Sequence, residues 1–333
     1  MKKIISLFAF AIAMIASSCT NDDITISKTV NFTVDPSSIH GAFTFAEIHE
    51  GDLETFDSSH RLNVLLYIYD EDGYKVAEFS NTFTNYKVQL KESSYLPQGK
   101  YTAVAITHVT EPSTGFKYWE IEGSETLEGL RIKDLHYIGG DNKILGTAVE
   151  SFTVGDNTVD LKINVQPAGA MVAVLYFNTD FFSNYGYHNL RLLINKTMDY
   201  LEFDRSGYSN VIELNNNHSF DWIFDSIDDD DLGNYYLIYN YEFILPMKNV
   251  GIGFRVDRDG DIYKFGEDGQ IEFEKGASYC IILDTEDDDF YLDKLDEPLW
   301  QMLSSSKGSS VFPDLNALNA PLVTKNNKVL LNH

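Results

Sequence analysis

The strongest constraint on this chain is a two-residue alternation of apolar and polar side chains that recurs along most of its length. Val159-Asp160-Leu161-Lys162-Ile163-Asn164-Val165 puts four apolar residues on one face and three polar residues on the other. That is the pattern of a strand with one wet face. Residues 61–69 are continuously apolar from Val64, as in a strand covered on both faces. They turn at Glu71-Asp72-Gly73 and return at 74–79; Asp-Gly between apolar runs signals a hairpin, because Gly accepts the positive φ of a tight turn. The same logic recurs at 254–263, and 151–154 is expected to form a hairpin with 159–165 across Gly155-Asp156-Asn157. Further strands are expected at 30–34, 101–108, 171–177, 190–194, 235–245, 271–273 and 279–283. Helical signals are confined to 125–135 and to 291–303, where Pro298 interrupts. Strands every ten or so residues with few helices point to an all-β fold of antiparallel β-sandwich domains. A Pro/Gly break at Gln166-Pro167-Ala168-Gly169 divides it into 30–165 and 166–333, and 333 residues suit two ordinary domains.

The N-terminus sets the compartment. Met1-Lys2-Lys3 precedes an apolar stretch from Ile4 to Ala16, broken only by Ser6. The stretch is too short for the ~20 residues of a membrane span and suits a signal peptide. Ala16-Ser17-Ser18-Cys19 resembles the lipobox of bacterial lipoproteins, with Ala16 where Leu or Val is usual. The resemblance implies a signal peptide at 1–18, acylation of Cys19 and a tether at 19–29; an ordinary cleaved signal is the alternative. Thr20-Asn21-Asp22-Asp23 resembles the short acidic tether that sends some lipoproteins to the outer face of the outer membrane. One acyl chain binds a bilayer only marginally, at roughly 0.8 kcal/mol per buried methylene, so the two or three chains of a bacterial lipoprotein give lasting anchorage.

Charge narrows the partners. Asp and Glu outnumber Lys and Arg by 51 to 25, a net of −26 that becomes −28 once Lys2 and Lys3 leave with the signal. Such a field repels phosphate backbones, so no nucleic-acid partner is expected, and only the lipid would hold the domains at an anionic membrane. Of two cysteines, Cys280 is left as a core thiol.

Motifs for chemistry are few. The eight histidines form no HExxH pair, and neither a G-x-S-x-G elbow, a P-loop nor a dinucleotide fingerprint occurs. No catalytic residue, metal ligand or cofactor is assigned. Asp228–Asp231, Glu286–Asp289 and Asp257-x-Asp259-x-Asp261 invite a calcium reading; the last has Ile262 where the loop glycine belongs, and solvated loops are the expectation. The odd positions of 235–243 form an apolar face that reads as sandwich core rather than as a sugar platform, and Trp119, Trp222 and Trp300 are isolated. Asp225-Ser226-Ile227 resembles a short O-glycosylation motif.

Several segments, taken in order, resemble the fimbrillin family and its lipidated minor or anchor subunits. They are the lipoprotein start at Cys19, the strand and hairpin of Leu65-Leu66-Tyr67-Ile68-Tyr69-Asp70-Glu71-Asp72-Gly73-Tyr74, and Leu96-Pro97-Gln98-Gly99-Lys100-Tyr101-Thr102-Ala103-Val104-Ala105. Ile144-Leu145-Gly146-Thr147, leading to 151–165 and 171–177, completes the set. The resemblance implies two transthyretin-like sandwiches in tandem and a structural, non-enzymatic fimbrial subunit, an anchor or accessory for cell adhesion, at the outer membrane and facing outward. It also implies fimbrillin-like partner subunits joined by strand exchange, with an adhesive ligand on a host or bacterial surface. In that family stem subunits mature by a cut after an Arg that removes the first strand. Arg61 is the candidate here, and a lipidated anchor is expected to keep it intact. The alternative reading is a glycan-binding surface lipoprotein of a nutrient-uptake system, favoured if the tryptophans are exposed.

Overall fold

The computed structural model describes residues 27–39, 59–85, 88–135, 143–177, 189–194, 197–204, 207–214, 218–223, 237–256, 262–265, 271–284, 289–294 and 328–329. Up to the Pro/Gly break, its strands are β1 (Ser27–Asp35), β2 (Arg61–Tyr69), β3 (Lys75–Phe83), β4 (Leu90–Pro97), β5 (Gly99–Glu111), β6 (Phe116–Lys117), β7 (Trp119–Glu122), β8 (Arg131–Asp134), β9 (Leu145–Val154), β10 (Val159–Asn164) and β11 (Gln166–Pro167). Next come β12 (Ala170–Phe177), β13 (Asn189–Ile194), β14 (Thr197–Asp204), β15 (Gly207–Leu214), β16 (His218–Ile223), β17 (Leu237–Ile244) and β18 (Met247–Val250). The chain ends with β19 (Ile252–Val256), β20 (Ile262–Phe265), β21 (Ile271–Phe273), β22 (Ser278–Asp284), β23 (Asp289–Lys294) and β24 (Lys328–Val329). The all-β expectation holds, and the one helical element described is a single 3-10 turn, Ser37–Ile39.

Two sheets face each other in the N-terminal half, ordered β10-β1-β4 and β11-β9-β5-β2-β3. Between them lie Val30, Phe32 and Val34 from β1, Leu62, Val64, Leu66 and Ile68 from β2, and Ala103, Ala105 and Val109 from β5. The intervening residues Leu65, Tyr67, Tyr69, Val104 and Ile106 belong to a second core on the opposite face of the larger sheet. Successive side chains of a strand point to opposite faces, so β2 supplies both cores, and its unbroken apolar run needs no other cause.

The C-terminal half repeats the plan. Its sheets are ordered β23-β22-β12-β17 and β16-β13-β19-β20-β24. Like β1, β12 pairs antiparallel on one side, with β17, and parallel on the other, with β22. The order β3-β2-β5-β9 recurs as β16-β13-β19-β20, with every pairing antiparallel in both. No sequence repeat announces this; strand order is duplicated, not residues.

One further sheet, β15-β14-β8-β7, takes two strands from each half. Its inward residues Trp119, Ile132, Met198, Leu201 and Phe203 join the core that also holds Phe243, Phe273 and Tyr279. The halves therefore share hydrogen bonds as well as apolar surface.

Three local expectations are corrected. The helical signal at 125–135 resolves into a turn followed by β8, because Ile132 and Asp134 point inward while Arg131 and Lys133 point outward, and both edges of β8 are paired. Residues 291–294 of the second helical region lie in β23, paired with β22; residues 295–303 fall outside the described set. Finally, β9 and β10 do not form a hairpin. β9 pairs with β5 and β11, whereas β10 crosses to the opposite sheet and runs parallel to β1. Phe152, Val154 and Ile163 then meet in one core from opposite sheets, a burial that a flat hairpin would not provide. The Asp-Gly hairpins do form: β2 pairs with β3 around Gly73 at φ 88°, and β19 pairs with β20.

Candidate functional site

The element with a clear route to function is β1 and the groove it fills. β1 is the middle strand of its sheet, bonded along Val30–Asp35 to β10 and along Ser27–Val34 to β4. β10 and β4 meet no other strand of that sheet, so both depend on β1 for their backbone partners. Val30, Phe32 and Val34 are fully buried, and the Phe32 ring meets Phe79 at 6.0 Å and Phe152 edge-on at 5.8 Å. On the solvent face, Asn31 Nδ2 donates to Asp160 Oδ1 at 2.6 Å.

The far end of β1 is fixed by polar bonds. Asp35 Oδ1 accepts from the Ser37 backbone N–H at 3.0 Å, an Asx turn that starts the 3-10 turn after Pro36. Asp35 Oδ2 accepts from Gln89 Nε2 and faces Lys162 Nζ, both at 3.0 Å. Burial pushes this carboxyl upward, but the bonds from Lys162, Ser37 and Gln89 outweigh it and bring its pKa down to about 2. The Asp35 carbonyl accepts from Val165 N–H at 2.9 Å, and the Ser38 hydroxyl donates to the Val165 carbonyl. Ile39 then inserts beside Gly146, where an added Cβ would stand 2.7 Å from Ile39 Cδ1, 2.6 Å from Val165 Cγ1 and 2.5 Å from Thr107 Oγ1. Only a residue without a side chain lets β9 approach so closely.

Arg61 opens β2 with its backbone opposite Thr110, and its Nη1 donates to the His60 carbonyl at 2.5 Å. Leu62 is paired on both sides, with Phe83 and Val109. A protease needs an extended, free backbone, and the 61–62 bond lies instead where β2 enters the interior of a sheet. Cys19 falls outside the described residues.

Trp119 is buried, with its Nε1 donating to the Lys143 carbonyl at 2.9 Å, so it offers no sugar platform. Trp222 lies on β16, and Trp300 is outside the described residues. Within the aromatic strand, Phe243 is in the core as expected. The runs 228–231 and 286–288, Asp257, Asp259, Asp261 and the 225–227 motif also lie outside the described residues, and Asp289 begins β23. Cys280 sits in β22, between Ala173 and Asp293.

An open cleft of about 240 Å³ borders Asp70, Glu71, Lys100, Thr102, Ser151 and Thr153. Asp70 Oδ1 takes the Tyr74 N–H at 2.8 Å, and Glu71 faces Lys100 at 3.5 Å. Asp70 thus braces the hairpin, and Glu71 reaches across to β5. Asp35 and Lys162 were not singled out by motif, and Gly146 only as part of Ile144-Leu145-Gly146-Thr147; Asp35-Pro36-Ser37 carries a local signal, that of an Asx turn.

Comparison with known proteins agrees with the resemblance read from the sequence. Residues 55–168 match the family described as fimbrillin-A associated anchor proteins Mfa1 and Mfa2. The match covers about a third of the chain and ends one residue after β11. No curated protein matches. Among solved structures, a candidate polysaccharide-binding protein from Bacteroides thetaiotaomicron aligns at TM-score 0.49 and 13% identity over 77% of this chain and 90% of its own. The fimbrial anchor protein Mfa2 of Porphyromonas gingivalis aligns at 0.40 and 13% over 80% and 95%. The tip fimbrial protein Mfa3 of the same organism, with a C-terminal truncation, aligns at 0.43 and 10% over 80% and 98%.

Proposed function

From the match of residues 55–168 to the fimbrillin-A-associated anchor family, we propose that this chain is a structural fimbrial subunit of the anchor or accessory kind, serving cell adhesion at the outer membrane. It is held there by lipid on Cys19, faces the exterior, and engages fimbrillin-like subunits by strand exchange. It performs no catalysis. The match carries the reading, because it spans β2 to β11, nearly all of the sandwich that β1 completes.

An anchor that keeps its 61–62 bond keeps β1 as well. A cut after Arg61 would separate the chain that bears Cys19 and β1 from everything that follows. It would also leave Phe79, Phe152 and the edges of β4 and β10 uncovered, an apolar groove with unpaired backbone that invites a foreign strand. With β1 in place that groove is filled from within. Such a subunit ends a series of strand exchanges at the membrane instead of accepting another strand there. Its tether is short: eight residue steps separate Cys19 from Ser27, at most about 27 Å of extended chain. The sandwich end that carries Ser27, the Pro97–Gly99 turn and the 70–74 hairpin is therefore the end nearest the lipid.

The test is a mild-detergent pull-down of the tagged native chain from membranes, with mass spectrometry and an unboiled gel. Recovery in a detergent-resistant ladder with fimbrillin-like subunits is the expected result. Recovery alone, or with a transporter and no ladder, would sink the fimbrial reading and leave glycan capture as the next to examine.

A further inference from the structure

A buried Lys–Asp pair lies outside the β1 groove and is unused by the reading above. Asp134 ends β8, directly opposite Trp119 on β7, and Lys143 lies two residues before β9. Lys143 is 1% exposed and Asp134 6%, and Nζ stands 2.9 Å from Oδ2. The Trp119 ring centre is 5.5 Å from Nζ, while its Nε1–H holds the Lys143 carbonyl at 2.9 Å and fixes the lysine backbone. Phe243 meets Trp119 edge-on at 6.2 Å, and Leu130, Ile132 and Leu145 belong to the same core.

Two full charges in such a place are costly, because desolvation of each ion opposes their mutual attraction. Condensation would remove both charges at once, and the amine already touches the carboxyl group in a site closed to water, with the lysine backbone held by Trp119 and that of Asp134 by its pairing with β7. From this geometry we infer that Lys143 and Asp134 are joined in the mature protein by an isopeptide bond.

The chemistry balances without a co-reactant. In the step itself one Nζ proton passes to Oδ2, and the Nζ lone pair this frees attacks Asp134 Cγ and forms the C–N bond. The Cγ–Oδ bond then breaks, and that oxygen leaves as water with the proton it received and one more from Nζ. Ammonium plus carboxylate gives a neutral secondary amide plus one water. The bond ties β8, in the sheet shared by the two halves, to the start of β9 in the N-terminal sandwich. It would close a ten-residue loop within the N-terminal half and hold β8, the strand on which β14 pairs, against the start of β9; it does not rest on the fimbrial reading.

The test is tryptic digestion and fragmentation mass spectrometry of the full chain purified from membranes. Trypsin cuts after Lys133, Lys143 and Lys162, so an unlinked chain yields peptides 134–143 and 144–162. The linked chain yields a single peptide, 134–162, uncut at Lys143, lighter by one water and without a backbone fragment ladder between 134 and 143. Peptide 144–162 is expected to fall at least tenfold below its yield from Asp134→Ala. Equal yields in the two proteins, or a 134–162 peptide at its full unlinked mass, would overturn the inference. Because the wild-type peptide decides by itself, the result stands even if Asp134→Ala folds poorly.

Discussion

Truncating Phe32 to alanine probes whether β1 holds the N-terminal sandwich together. The side chain is 1% exposed, sits on the middle strand of its sheet and meets two other rings. Removing a buried phenylalanine costs roughly 3–5 kcal/mol in lost transfer energy and residual cavity. Collapse should be poor here, since Phe79 and Phe152 sit on β3 and β9 in the facing sheet, each held by its own ladder. The upper half of that range, about 4 kcal/mol, is therefore expected. With a urea dependence of about 2 kcal/mol per molar, the unfolding midpoint should fall by about 2 M. The assay is urea unfolding of the full chain followed by tyrosine and tryptophan fluorescence, with Asn31→Ala as the neighbouring control. Asn31 faces solvent and gives up one exposed bond to Asp160, so its change should stay within about 0.5 kcal/mol. If Phe32→Ala cost no more than Asn31→Ala, β1 would not be the strand that completes this core. The account of a groove filled from within would then fail.

Three other outcomes are expected. His108 is fully buried with Nε2 3.1 Å from Asn63 Nδ2; burial, reinforced by Lys117 and only partly offset at the Val109 backbone, lowers its pKa from 6.5 to about 4. Between those values the unfolded chain binds a proton that the folded chain does not, so this stability is full above pH 6.5 and lost as pH falls toward 4. At about 1.4 kcal/mol per unit, roughly 2 kcal/mol should be gone by pH 5, and urea midpoints of wild type and His108→Gln at pH 7 and 5 will show whether the dependence belongs to this residue. Gly146→Ala places a Cβ inside 3 Å of Thr107, Val165 and Ile39, and should destabilise by about 1–3 kcal/mol in thermal or urea unfolding; a neutral result would mean β9 is not held that close. Cys19→Ala should move the chain from the membrane pellet to the soluble fraction after lysis, and persistence in the pellet at wild-type yield would refute lipid anchorage.

Much of the fold was legible because burial leaves a periodic trace in the chain. Val64 to Tyr69 reads as a strand covered on both faces, and it supplies two cores in alternation. The Asp-Gly turn at 72–73 reads as a hairpin because only a few residues accept the backbone it needs. Where two elements compete locally the trace is weaker. Residues 131–134 follow a helix-like apolar spacing at Leu127 and Leu130, yet pair on both edges as a strand. The hairpin expected across 155–157 failed for a related reason: alternation reports which face is apolar, not which sheet will cover it.

The sequence by itself determined the class of structure, the apolar run from Ile4 to Ala16 just before Cys19, and a resemblance carried by segments between residues 19 and 177, within which the family match at 55–168 falls. These are properties of neighbours along the chain. Tertiary structure alone decided that β1 lies between β4 and a parallel β10, that the second half repeats that order around β12, and that Lys143 meets Asp134 beside Trp119. Strand order depends on which distant segments exclude water from the same core, and no local pattern encodes that choice. The pairing of buried charges is decided the same way, because an ion taken out of water must find its partner wherever the fold brings one.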